Sequence, residues 1–184
     1  MRIIGIDPGL RHTGWGIIDI INNNNNIIHV ADGRVSAPVS LTDGNRLSFI
    51  KQELTRLVFE YKPSFSAVEQ IFVGAGIGSS LKLGMARGVA LLVLAEAGLE
   101  TKELPPRLVK KTVTGSGAAS KEQIKLMIER LLNITPKNED SSDALAIAIS
   151  AQHIGINNFL SNKIKKNIGL ESAIAKALLK EKKI

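Results

Sequence analysis

Apolar residues recur along the chain with two periods, and the switch between them marks out the elements. RIIGI at 2–6 is a continuous β-rich run, closed by the turn signal Asp7-Pro8-Gly9. TGWGIIDI (13–20) and IIHVADGRV (27–35) predict two more strands. The polyasparagine at 22–26 sits where a hairpin connection belongs; it is low-complexity polar filler and is assigned no chemistry. From Arg46 to Tyr61 the period changes, with Leu47, Ile50, Leu54, Leu57, Val58 and Tyr61 forming one helical stripe that Pro63 closes. SFSAVEQIFV then reads as a strand running into a loop. Helices are predicted at about 79–97, 107–113, 120–133 and 141–153, with a short extended piece near 99–104.

Three hairpin-linked strands followed by helix-separated ones predict an α/β fold with a five-stranded mixed sheet flanked by helices. No G-x-G-x-x-G occurs, which excludes the dinucleotide-binding arrangement. In the 79–97 helix, Ser80, Gly84 and Gly88 share one side. A glycine inside a helix costs roughly 1 kcal/mol relative to alanine, so the pair implies close packing, either over the sheet or between two subunits.

The chain has 184 residues, which fits one domain, placed at 1–155, and a basic tail at 156–184. There is no cysteine, hence no disulfide, thiol nucleophile or cysteine-bound metal. MRIIGIDPGL is a poor secretory signal, and VALLVLAEAGL is interrupted by Glu96 and short for a membrane span, so a cytoplasmic protein away from membranes is expected. The formal net charge is +7, much of it in the seven lysines of 161–184. A second basic concentration, Lys102, Arg107, Lys110, Lys111 and Lys121, lies inside the folded part and suits a phosphate backbone.

Four acids stand out against this background. Asp7 ends a strand before Pro-Gly, and strand parity puts it on one side with Ile3 and with Gly5, which leaves space at the approach. It serves equally as a turn cap. Glu69 sits inside a strand-like run with Phe65 and Ala67 on its face, either solvent-facing or converging with Asp7 if the two strands are neighbours. Asp140 and Asp143 open a helix, where capping and dipole stabilisation are sufficient reasons for an acid. Four carboxylates from separate segments repel one another unless a cation offsets them, and an oxygen-only donor set suits magnesium. Such a cluster is the equipment of phosphodiester hydrolysis, with Lys110 and Lys121 as candidate phosphate-holding cations and the TGSG loop between them offering backbone N–H groups.

GIDPGLRHTGWG, VEQIF, SSLKLGMARGVA, RLVKKTVTGSGAASKEQI and DSSDALAIAI occur in an order and spacing that resemble the RuvC family of Holliday-junction resolvases over about residues 1–153. The resemblance implies a ribonuclease-H-like endonuclease acting as a homodimer on four-way DNA junctions, nicking opposed strands of like polarity and leaving ligatable ends in recombination and repair. It implies Asp7, Glu69, Asp140 and Asp143 as catalytic carboxylates holding two Mg2+ ions, with Mn2+ as a substitute. It implies Lys110 and Lys121 as catalytic and, with Lys111 and Arg87, as DNA-contacting basic positions, Phe72 as a DNA-contacting residue that stacks on bases, Arg87 lying in the dimer-associated helix, and a branch-migration motor as partner. The segment VGAGIGSS departs from the polar or basic loop usual in the family, which leaves the base contacts open. A YqgF-like RNA-processing nuclease is the alternative of the same fold. A sugar-kinase or chaperone ATPase would need a second lobe. Trp15 is expected in the core, and His12 at the surface or hydrogen-bonded near the first turn.

Overall fold

The computed structural model describes residues 1–21, 26–71 and 77–153. Phe72, most of the glycine-rich 74–78 segment, most of the asparagine run and the basic tail lie outside the described residues. Contacts group Met1–Gln152 into one compact unit.

Among the described residues the order is β1 (Arg2–Asp7), β2 (His12–Ile21), β3 (Asn26–Ser36), α1 (Asp43–Tyr61), β4 (Phe65–Glu69), α2 (Ile77–Glu96), β5 (Thr101–Leu104), α3 (Pro106–Thr114), α4 (Lys121–Leu132) and α5 (139–153). The strands lie in the order β3-β2-β1-β4-β5. The first three pair antiparallel, while β1–β4 and β4–β5 pair parallel, so the sheet is mixed as expected. Ile3 faces Phe65 and Gly5 faces Ala67 across β1 and β4. That register carries the ends of both strands, Asp7 and Glu69, to the same edge of the sheet.

One face of the sheet meets α1 and α2. Ile4, Ile6, Trp15, Ile17 and Val68 join Ile50, Leu54, Leu57, Ala90, Val93 and Leu94 in a single apolar cluster. Trp15 is there as expected, its ring centroid 5.9 Å from that of Tyr61. The opposite face meets α5. From Ala144 to Ala151 every side chain is 1 % exposed or less, and burying each Leu or Ile of this run is worth about 1.5–3 kcal/mol.

Gly5 explains how α5 comes so close: a Cβ there would fall 2.2 Å from the Ala144 carbonyl oxygen and 2.6 Å from the Ala148 nitrogen. The space beside Asp7 is therefore filled by helix backbone and is not an open approach. The glycines of α2 go the other way. Among the described residues nothing lies within 4 Å of a Cβ placed on Gly84 or Gly88, so they do not pack on the sheet. By length and hydropathy alone Gly78–Glu96 would pass as a membrane span, a longer run than the sequence suggests. Its inner side, Ala86, Ala90, Val93 and Leu94, belongs to the core, and its Arg87 pairs with Glu103 of β5.

Helix starts differ from expectation by a few residues. Gly44 weakens the periodic signal, yet α1 begins at Asp43 because the Thr42 side chain accepts from Asn45 N at 3.4 Å. The α4 start is built by a capping box in which Ser120 and Gln123 bond reciprocally, which makes Lys121 its first residue. That box fixes where the lysine leaves the helix.

Candidate active site

The turn after β1 is closed by a buried threonine. Thr13 Oγ1 donates to the Gly9 carbonyl at 2.7 Å and accepts from Gly9 N at 3.4 Å, which bends the chain sharply after Asp7. His12 bonds Ser36 through its Nδ1 at 3.2 Å and takes no part in the acid cluster.

At the other side of the site, α5 is capped by residues other than its acids. Asn138 Oδ1 accepts from Ser141 N at 2.9 Å, and Ser141 Oγ accepts from Asn138 N at 3.1 Å, a reciprocal cap of the kind that satisfies orphan helix donors. Asp140 and Asp143 are therefore not needed as caps. Their carboxylates are available to the sheet rim, where they remain favourable to the helix dipole.

Asp7, Glu69 and Asp143 line one cavity of ≈ 260 Å³ together with Lys110, Lys121 and the apolar Val109, Ile124 and Ala146. Burial pushes the Asp7 carboxyl up to about 8, and the negative charges of Glu69, Asp143 and Asp140 push the same way. Glu69 is raised to about 7, again by burial first and then by Asp143, with Lys110 and Lys121 opposing. Asp143 is raised by burial, while Lys121 draws it back. Three acids held where they resist ionisation form an oxygen donor set suited to a hard divalent cation. Their present spacing does not form a finished cage: among the described residues no three Asp, Glu or His side chains stand close enough to hold one ion. The fourth expected acid, Asp140, turns its Oδ2 to Arg34 Nη1 at 3.3 Å.

The two expected lysines are both in place. Lys110 lines the cavity and its Nζ donates to the Ala119 carbonyl at 3.0 Å, tying α3 to the start of α4. Lys121 Nζ lies 3.9 Å from Asp143 Oδ2 and 3.9 Å from Glu139 Oε2, which gives Glu139 a partner outside the acid cluster. Lys111 is exposed on α3 and does not line the cavity. Arg87 is paired to Glu103 within the fold.

The TGSG loop does not offer a free row of donors. Gly115 N bonds Lys111 O, Ser116 N bonds Thr114 Oγ1, and Ala118 N bonds Ser116 Oγ, so the loop closes on itself. The positions that sequence reasoning passed over are Arg34, Asp32, Asn138 and Thr13. Asn138 had a readable signal, an N-cap residue three before Ser141; Arg34 and Asp32 had none that points to the site, because Asp140 and the Lys137 amide lie over a hundred residues away.

A mixed α/β sheet with clustered carboxylates at the ends of β1 and β4 and at the start of a crossing helix is the ribonuclease-H-like arrangement of metal-dependent nucleases. The comparisons with known proteins narrow it. Residues 3–153 match the family model for crossover junction endodeoxyribonuclease RuvC, and the chain belongs to the RuvC family of crossover junction endodeoxyribonucleases, whose nucleases are metal-dependent. The enzyme of that name from Afipia carboxidovorans is 50 % identical over 154 residues, covering 83 % of this chain and 89 % of the relative. That from Rhodopseudomonas palustris is 46 % identical over 83 % of this chain and 87 % of the relative. Thermus thermophilus RuvC, solved in complex with a Holliday junction substrate, superposes with a TM-score of 0.76 at 28 % identity, covering 83 % of this chain and 93 % of that one.

Proposed function

We propose that this chain resolves four-way DNA junctions by hydrolysing a phosphodiester at the cavity bounded by Asp7, Glu69 and Asp143. The carrying observation is that these three acids, from three separate segments, share one cavity with Lys110 and Lys121. The two lysines stand on the α3–α4 side, where they can hold the scissile phosphate and favour the charge that develops on it. Asp7, Glu69, Asp140 and Asp143 are the residues that would hold Mg2+, two ions per site, with Mn2+ able to substitute. Bound there, the ions would supply a nucleophilic water at neutral pH and Lewis-acid stabilisation of the phosphoryl oxygens. The apolar wall of Val109, Ile124 and Ala146 limits water around the acids. Asp140 reaches the set by leaving Arg34.

The finer features follow from the same reading. The outward side of α2 carries exposed Leu81, Met85 and Leu92 around the bare Gly84 and Gly88, and a second copy of this chain covers it, giving the homodimer that paired nicks require. The matched region ends at 153, which supports a nuclease domain over about 1–155 and a basic appendage beyond it. A branch-migration motor as partner and base contact through Phe72 are carried by the family resemblance.

Strand-resolved cleavage of a four-way junction in Mg2+, beside a matched linear duplex and RNA duplexes, tests the reading. Paired nicks on opposed strands are expected, with Asp7→Asn and Asp143→Asn lowering the rate by about 10²–10⁴, the range a catalytic group typically supplies, and leaving junction binding intact. Cleavage of RNA with the junction untouched would reject it.

A further inference from the structure

We propose that Asp32 is a positioning residue of the nuclease site, acting from edge strand β3 on the backbone just ahead of α5; this rests on the carboxylate reading above. Asp32 is 2 % exposed, in a strand far from the acids in sequence. Its Oδ2 accepts from Lys137 N at 2.8 Å across 105 residues of chain, and its Oδ1 stands 3.0 Å from His29 Nε2. Two residues further along the same strand face, Arg34 holds the Asp140 carboxylate. The β2 residues opposite Asp32 and Arg34 are Gly16 and Gly14. A Cβ on Gly16 would fall 2.8 Å from Leu145 N, and one on Gly14 2.1 Å from the Asp140 carbonyl oxygen.

These facts describe one seat. The bare backbone of β2 lets residues 137–145 pass over it, and Asp32 fastens their leading end to β3. Downstream, α5 is anchored by its own apolar burial, so the residues most sensitive to this fastening are the ones nearest it, Asp140 and Asp143. A carboxylate that fixes the chain carrying two acids acts on the cation through them, as outer-shell partners of metal ligands do.

The test uses the full chain with Mn2+ alone, titrated calorimetrically at mildly alkaline pH. Asp32→Ala is expected to weaken Mn2+ binding about 10–100-fold, the effect usual for such partners. The Mg2+ concentration for half-maximal cleavage should rise by the same factor, with junction affinity in chelator unchanged. Asp32→Asn keeps an oxygen to accept the Lys137 N–H and should restore most of the loss. Because Asp32→Ala removes a buried group, hydrogen exchange at the Lys137 amide of the unaltered chain provides a second measurement. Coupling between two sites is reciprocal, so saturating Mn2+ should slow that exchange. Equal Mn2+ binding by Asp32→Ala and the unaltered chain, or Lys137 exchange indifferent to Mn2+, overturns the proposal. Asp143→Asn carried in parallel separates the two readings. If it loses Mn2+ while Asp32→Ala does not, only the positioning role falls; if it too binds normally, the carboxylate site falls as well.

Discussion

Glycine serves this molecule in two regions, and the two uses are opposite. Beneath α5, Gly5, Gly14 and Gly16 expose strand backbone so that a helix can lie almost on it, with a Cβ at each position falling inside 3 Å of Ala144, Asp140 or Leu145. In α2, a Cβ on Gly84 or Gly88 would meet no described residue within 4 Å. The first set brings Asp140 and Asp143 to the rim where Asp7 and Glu69 end. The second leaves an apolar outer surface, with Leu81, Met85 and Leu92 exposed, that the described residues do not fill. The same residue type thus shapes the site in one place and, in the other, leaves a helix face bare among the described residues. Close approach by a backbone, not the presence of glycine, is what distinguishes them.

The largest effect is expected from a methyl group placed in the seat. In Gly5→Ala the new atom would lie 2.2 Å from a helix carbonyl oxygen, too close for any rotamer change to relieve, so α5 must shift. Overpacking of this kind costs about 1–3 kcal/mol and occasionally more, which for a chain of this size lowers Tm by about 2–12 °C. The larger loss is expected in catalysis. A displacement of about 1 Å at a catalytic group can lower the rate by about 10²-fold, and single-turnover cleavage against thermal denaturation would show activity falling well beyond stability. A rate that merely tracks the folded fraction would mean that Gly5 matters to packing alone.

That seat also marks where sequence reasoning ran out. Periodicity was enough for the strands, the helices and the mixed sheet, because each element buries a face whose period is written locally. Asp7, Glu69, Lys110 and Lys121 were legible too, since acids ending or interrupting strand-like runs, and lysines near them, are locally out of place. The role of Gly5 was misread because an absent side chain does not say what occupies the space. The outer position of Gly84 and Gly88 was one of two open alternatives, and helical spacing alone does not choose between the sheet and a subunit. Arg34 and Asp32 left no signal at all. They sit in an ordinary alternating strand, and only the tertiary path of residues 137–145 brings the Lys137 amide and Asp140 to them.

A second effect, smaller than the loss of the seat, comes from what the seat has to hold. Asp7 and Glu69 are raised to about 8 and about 7 in the folded chain, against ordinary values near ~4 when unfolded. The folded state therefore binds more protons than the unfolded state between about pH 4 and pH 8, and stability falls as pH rises through that window. In a metal chelator the decline should reach about 2 kcal/mol or more, since one pKa unit corresponds to about 1.4 kcal/mol. That is a Tm drop of about 4–8 °C between acid and mildly alkaline buffer. Asp7→Asn removes the group with the larger shift and should flatten the curve, leaving the variant more stable than the parent at the alkaline end. Added Mg2+ should flatten it as well, because a cation offsets the same repulsion. A parent Tm independent of pH in chelator would show that the seat does not crowd the acids.

The smallest effect belongs to the outer glycines and bears on the other half of the comparison. Gly88→Ala meets no steric obstacle among the described residues, so in a separate copy it should stabilise α2 by about 0.5–1 kcal/mol through helix propensity alone. A second copy seated closely on Leu81, Met85 and Leu92 would meet the new methyl group and cancel that gain. Solution mass sorts the two states, since one copy is 19.8 kDa and a pair is twice that. Thermal unfolding at a dilution where the chain is single should show Gly88→Ala above the parent by about 1–4 °C. At a concentration where the parent is paired the advantage should vanish or reverse. An equal advantage at both concentrations would mean that no copy lies against Gly88, and the bare face of α2 would then have to be assigned to something other than this chain.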